Sequence, residues 1–94
     1  MALPKTVQWT PGSIVATIYD FASPGDILPM HTHTSQDVHI TIISSGSIRV
    51  KTPDGKTADF SARDHIEFMP GQPHEFESLE PNTRITNILK GQTA

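Results

Sequence analysis

Histidine supplies most of the chemistry this chain can offer. Three of its five histidines fall in one stretch, PMHTHTSQDVHITIISSG, which runs from Pro29 to Gly46. His31 and His33 are two residues apart, and side chains at i and i+2 of an extended strand point to one face. His39 has the same parity and reaches that face if the chain turns back between Thr34 and Gln36. His74 lies in a second short stretch, MPGQPHEF. Neutral imidazole ligates zinc, nickel, copper and iron, so four rings drawn from two segments are the ingredients of a metal site. A single histidine is ordinarily a surface residue or a packed one. His39, however, lies among Val38, Ile40 and Ile42, and a buried imidazole needs partners. A metal shared by several rings would satisfy them together. On spacing alone a metal centre and a set of separately satisfied histidines both remain open.

Composition closes other routes. The chain has 94 residues and no cysteine, which excludes disulfides, thiolate metal sites and cysteine nucleophiles. Its formal charge of −3 comes from interspersed acidic and basic residues. There is no basic footprint for nucleic acid and no polybasic patch for a membrane. The segment MALPKTVQWTPG has no apolar core of a signal peptide, and no run approaches the ~20 apolar residues of a membrane span. The expectation is one soluble, cytoplasmic domain covering residues 1–94.

The elements that must position the histidines are strands. Ten isoleucines and eleven threonines stand against four leucines, and β-branched residues favour strands. Eight prolines leave few windows for a helix. Ser13 to Phe21 alternates, with Ile14, Ala16 and Ile18 on one face and Val15, Thr17, Tyr19 and Phe21 on the other. Ser23-Pro24-Gly25-Asp26 turns the chain into Ile27 to His33. Asp37 to Ile43 carries apolar residues on both faces, which predicts that both are covered. Further strands are expected at Ser47 to Thr52, Lys56 to Phe60, His65 to Met69, His74 to Ser78 and Arg84 to Leu89. Pro53-Asp54-Gly55 is a hairpin turn. About eight short antiparallel strands at near-regular spacing read as an all-β sandwich or barrel.

The two histidine stretches resemble the two motifs of the cupin family. The first motif is a glycine, five residues, His-x-His, a short spacer, a glutamate, six residues and a glycine. Gly25 is followed by five residues and then His31-Thr32-His33, and six residues separate His39 from Gly46. His39 therefore stands where most cupins have the glutamate, after a spacer longer than usual. The second motif ends Pro-x-Gly, two residues, His. Gly71-Gln72-Pro73-His74 keeps that end, while Ala62-Arg63-Asp64 lacks the leading glycine and Pro70 abuts Gly71. The resemblance covers about Ile14 to Leu89. It implies a cupin-type jelly-roll β-barrel holding one divalent transition metal (Fe, Mn, Ni, Cu or Zn) on His31, His33, His39 and His74. Asp37, of the same parity as His39, competes for the fourth place. His65 shares a face with Glu67 and is expected to point to solvent. Thr41, Ile43 and Phe76 are pocket walls or core. Trp9 and Tyr19 are expected to be core aromatics, and Glu75 and Arg84 exposed strand charges.

An all-nitrogen shell leaves the metal its full charge and leaves coordination positions open, which suits an oxygenated or anionic small molecule. The expected function is a small metal-dependent enzyme of oxygenase (dioxygenase) type. A redox-neutral isomerase or lyase and a non-catalytic small-ligand binder are the alternatives. Val38, Ile40 and Ile42 project from the face opposite His39. If that ring points into the barrel, these three form an outer apolar stripe; of its two possible covers, Leu3 to Trp9 or a second subunit, a two-fold homodimer is expected.

Overall fold

The computed structural model describes residues 5–9, 14–32, 38–69 and 71–90, with side chains for 14–32, 39–69 and 71–90. The described chain is all strand and turn: β1 (Lys5–Trp9), β2 (Ile14–Phe21), β3 (Ile27–His31), β4 (Val38–Ser45), β5 (Ser47–Lys51), β6 (Thr57–Ser61), β7 (His65–Phe68), β8 (His74–Ser78) and β9 (Thr83–Lys90). They form a five-stranded sheet in the order β1-β2-β9-β4-β7 and a four-stranded sheet in the order β3-β8-β5-β6. Every pairing is antiparallel. This is a jelly-roll sandwich. Among the described residues no helix is long and apolar enough to cross a membrane.

The alternation in the sequence becomes rows of side chains across the inner face of the larger sheet. Tyr19, Ile85 and Ile43 stand in one row, Thr17, Asn87, Thr41 and Ile66 in the next, and Val15, Leu89, His39 and Phe68 in the third. Opposite them, Leu28, Phe76 and Val50 form a row of the smaller sheet, with Ile48 and Ser78 beside it and His31 paired to His74 at its end. Phe21, Ile43, Ile48, Phe76 and Ile85 are buried to 1% exposure or less and make the densest part of the core. Tyr19 packs against this cluster, and burial pushes its phenol up from the ordinary value.

Two backbone features fix the chain's path. Gly46, between β4 and β5, has φ +74°, and a Cβ there would lie 2.8 Å from the Cα of Thr83. Only a residue without a side chain allows both that turn and that approach. The β3–β8 register shifts between Leu28 and His31. The irregularity surrounds Pro29, which has no N–H to give to the ladder. It changes the parity of the strand, so Leu28 packs on the core while His31, three residues on, meets His74.

β1 was not an expected strand. It pairs with β2, with Trp9 opposite Ala16 and Lys5 opposite Asp20, and so extends the larger sheet in its own plane. The outer face of that sheet then carries two rows, Ala16–Ile88–Ile40 and Ile18–Thr86–Ile42. Ile42 is 38% exposed and Ile14 43%.

Candidate metal centre

Three of the four expected ligands lie among the described residues, and the fold brings all three together. His31 comes from the end of β3, His39 from β4 in the facing sheet and His74 from the start of β8. The His31 and His74 rings meet edge to face at 4.4 Å between centroids, and the His39 and His74 rings lie 4.9 Å apart. His39 and His74 are fully buried, and His31 is half-buried. Residues 43 positions apart in the chain thus share one point of the barrel interior because β3 and β8 pair and β4 packs across from them. His33 and Asp37 lie outside the described residues.

The rings pack against one another rather than spreading around a common centre. Among the described residues no three His, Cys, Asp or Glu side chains form a group poised to hold a metal ion. The donor chemistry nevertheless fits one. His31 Nδ1 donates to the carbonyl of Pro29 at 2.7 Å, and His74 Nδ1 donates to the carbonyl of Gln72 at 2.9 Å. A carbonyl only accepts, so each bond fixes its proton on Nδ1 and leaves Nε2 as the lone-pair nitrogen. That is the usual arrangement around a histidine that ligates a metal. Both carbonyls lie two residues before the histidine, at Pro29 and Gln72, so the local turn supplies the orientation.

His39 is held differently. Its Nε2 lies 3.5 Å from the Thr41 hydroxyl, which donates at 2.6 Å to Oδ1 of Asn87. Thr41 and Asn87 are opposite one another on β4 and β9 and are both fully buried. Among the described residues the buried Nδ2 group of Asn87 has no hydrogen-bond partner, and a buried donor left so costs about 1–3 kcal/mol.

Phe68 packs on two of these rings, and nothing in its own stretch of sequence marks it for that place. The ring stacks on His74 at 4.2 Å with 22° between planes and lies 4.7 Å from His39, its register partner on β4. On the strand pattern it is simply the inward residue after Ile66. The signal lay in the pairing: the residue opposite a buried histidine on the next strand is its neighbour. Phe68 also walls a cavity of about 570 Å³ between the free edges of β6 and β7, lined chiefly by Val50, Phe60, Ile66, Phe68 and Pro73, with Lys56 among its polar margin. The size is that of a small-molecule site.

The other candidates resolve cleanly. His65 is exposed on the outer face beside Ile42, as expected. Thr41 belongs to the site. Ile43 and Phe76 are core, although the Phe76 ring lies 5.2 Å from that of His74. Arg84 pairs with Asp20 at 2.7 Å on the surface, and Glu75 points away from the histidines on alternate parity to His74. The side chain of Trp9 lies outside the described set.

A family model, the cupin domain, matches residues 22–86. The chain belongs to the cupin family. Solved structures agree on the fold of this cupin. KdgF from Halomonas sp. superposes with a TM-score of 0.77 at 21% identity, covering 95% of this chain and 77% of that one. An uncharacterised protein with a double-stranded β-helix domain from Klebsiella pneumoniae gives 0.83 at 19% identity, over 97% and 79%. The cupin domain of an XRE-family transcriptional regulator from Enterobacter cloacae gives 0.77 at 14% identity, over 95% and 97%. No curated protein matches the chain.

Proposed function

We propose that this cupin binds one divalent transition metal on His31, His39 and His74, with His33 as the fourth ligand, and uses it on an oxygenated small molecule. The observation that carries the reading is the pair of rings, His31 and His74, whose Nδ1–H groups donate to backbone carbonyls and so place each lone pair on Nε2. The metal would supply Lewis acidity and sites for ligand oxygens. The protein's part is to hold the rings, to exclude water with Phe68, and to seat the apolar body of the ligand in the cavity beside that ring. A neutral imidazole shell leaves the metal its whole positive charge, which favours an anionic or oxygen-rich ligand group. Enzymatic turnover of oxygenase type is the function proposed.

Elemental analysis of untagged protein tests the metal, and aerobic turnover of diols, keto acids and phenols by the Fe, Mn, Ni, Cu and Zn forms tests the chemistry. Metal should leave on acidification, because imidazole must be neutral to ligate. Retention well below pH ~4, where imidazole is protonated, would refute the histidine shell and point to carboxylate or other ligands. Binding without turnover across the panel would favour a ligand-binding module instead.

We also propose a homodimer through the outer face of the larger sheet. β1 lies in the plane of that sheet and leaves the Ile40 and Ile42 rows open, and a two-fold pairing of like rows would cover both copies. Light scattering should give twice the 10.3 kDa of one chain, and Ile40→Glu should return it to monomer.

A further inference from the structure

The three imidazoles are not held alike, and the difference assigns work to two residues outside the ligand set. His31 and His74 each donate from Nδ1 to a carbonyl, at Pro29 and Gln72. His39 meets a protein oxygen from its other nitrogen, Nε2, at Thr41. The Thr41 hydroxyl has one proton, and at 2.6 Å the amide oxygen of Asn87 takes it. The Thr41 oxygen therefore faces His39 with a lone pair, and the hydrogen of the longer, 3.5 Å contact comes from the ring. Both side chains are fully buried, so bulk water does not substitute for either. Two aliphatic residues would fill this row without stranding the Nδ2 donor of Asn87. A polar pair at its centre has a use if it controls the ring above it.

We propose that Thr41 and Asn87 are positioning residues that keep the His39 proton on Nε2, so that His39 ligates the metal through Nδ1 while His31 and His74 ligate through Nε2. The inference rests on the metal-centre reading for its last step only; the proton positions belong to the metal-free protein. Ligation through Nδ1 brings the metal closer to the β4 backbone than Nε2 would, because Nδ1 is the nitrogen nearer Cβ.

Long-range ¹H–¹⁵N correlation spectra of the metal-free protein, at a pH where the imidazoles are neutral, read the proton positions directly. His39 should show its proton on Nε2, and His31 and His74 theirs on Nδ1. Thr41→Val, which keeps shape and removes the acceptor, should turn His39 into a mixture of forms and weaken Zn²⁺ binding about tenfold. Its unfolding should stay cooperative and the His31 and His74 signals unchanged. Thr41→Ser should restore both the tautomer and the affinity. A His39 proton on Nδ1 in the unmodified protein, or a tautomer untouched by Thr41→Val, overturns the relay. Zn²⁺ bound with His39 Nδ1 unshifted overturns the ligation assignment. Absence of Zn²⁺ binding with the tautomer pattern intact overturns the metal-centre reading and the ligating role with it.

Discussion

The two ends of this barrel are built from the same strands and do opposite things. At one end Phe21, Ile43, Ile48 and Ile85 fill the space between the sheets, and Gly46 lets the β4–β5 turn close against Thr83. At the other end β4, β8 and β9 present His39, His74 and Asn87, so the space there holds imidazole rings and an amide. Aliphatic packing is non-directional and gains from every contact made. An imidazole or amide stabilises only when a partner is placed for it. The first end can therefore carry the stability of the domain, while the second holds the polar groups on which the proposed metal site rests.

That division is open to direct attack. The largest effect is expected at the aliphatic end from Gly46→Ala. The new Cβ would meet the Thr83 backbone in a left-handed conformation, and the loss should exceed about 4 kcal/mol, at the extreme of single substitutions. Denaturant unfolding, or failure to recover folded protein, reads it. Ile85→Ala removes a side chain with no exposed surface and should cost about 2–5 kcal/mol. The folded fraction should keep its metal stoichiometry, and loss of metal without loss of stability would contradict the division.

A gain is expected at Arg63, which closes the β6–β7 turn with φ +81° while its N–H donates to the Ile43 carbonyl. Counted back from His74, Arg63 occupies the place of the leading glycine of the second cupin motif. An L-residue in this region carries a strain of roughly 1–2 kcal/mol, so Arg63→Gly should raise stability by about 1 kcal/mol in chemical denaturation. The smallest change in metal-free stability belongs to His31→Ala, at a half-buried ring of the polar end, within about 1 kcal/mol. On the metal-centre proposal Zn²⁺ should raise the melting temperature of the unmodified protein, and the same variant should lose that rise. A large loss of metal-free stability from His31→Ala would show that the polar end also holds the fold together.

The predictions at Arg63 and His31 mark where the sequence could be read and where it could not. The inner faces of β2, β4, β8 and β9 follow from period-2 alternation, since one buried face forces every second residue to be apolar or satisfied. His39 and the exclusion of His65 follow from the same parity, while His74 entered through the second motif. The strain at Arg63 was visible only as a missing glycine in the motif, and its φ gives the absence a cost. β1 carries only a short alternation, Val7 and Trp9 against Thr6 and Gln8, too brief to mark a strand by itself; pairing with β2 makes it one.

By itself the sequence determined an all-β chain, its family, the turns at Gly46 and Gly55 and the histidines worth watching. The family rests on the resemblance of two motifs; the others rest on local terms: propensity, alternation and the φ angles that glycine permits. Tertiary structure decided the rest. It alone sets Phe68 against two imidazoles, puts Thr41 opposite Asn87, and, through the irregularity at Pro29, turns His31 toward His74. Register between strands distant in sequence is fixed by how two whole faces bury together. No single stretch of the chain contains that information.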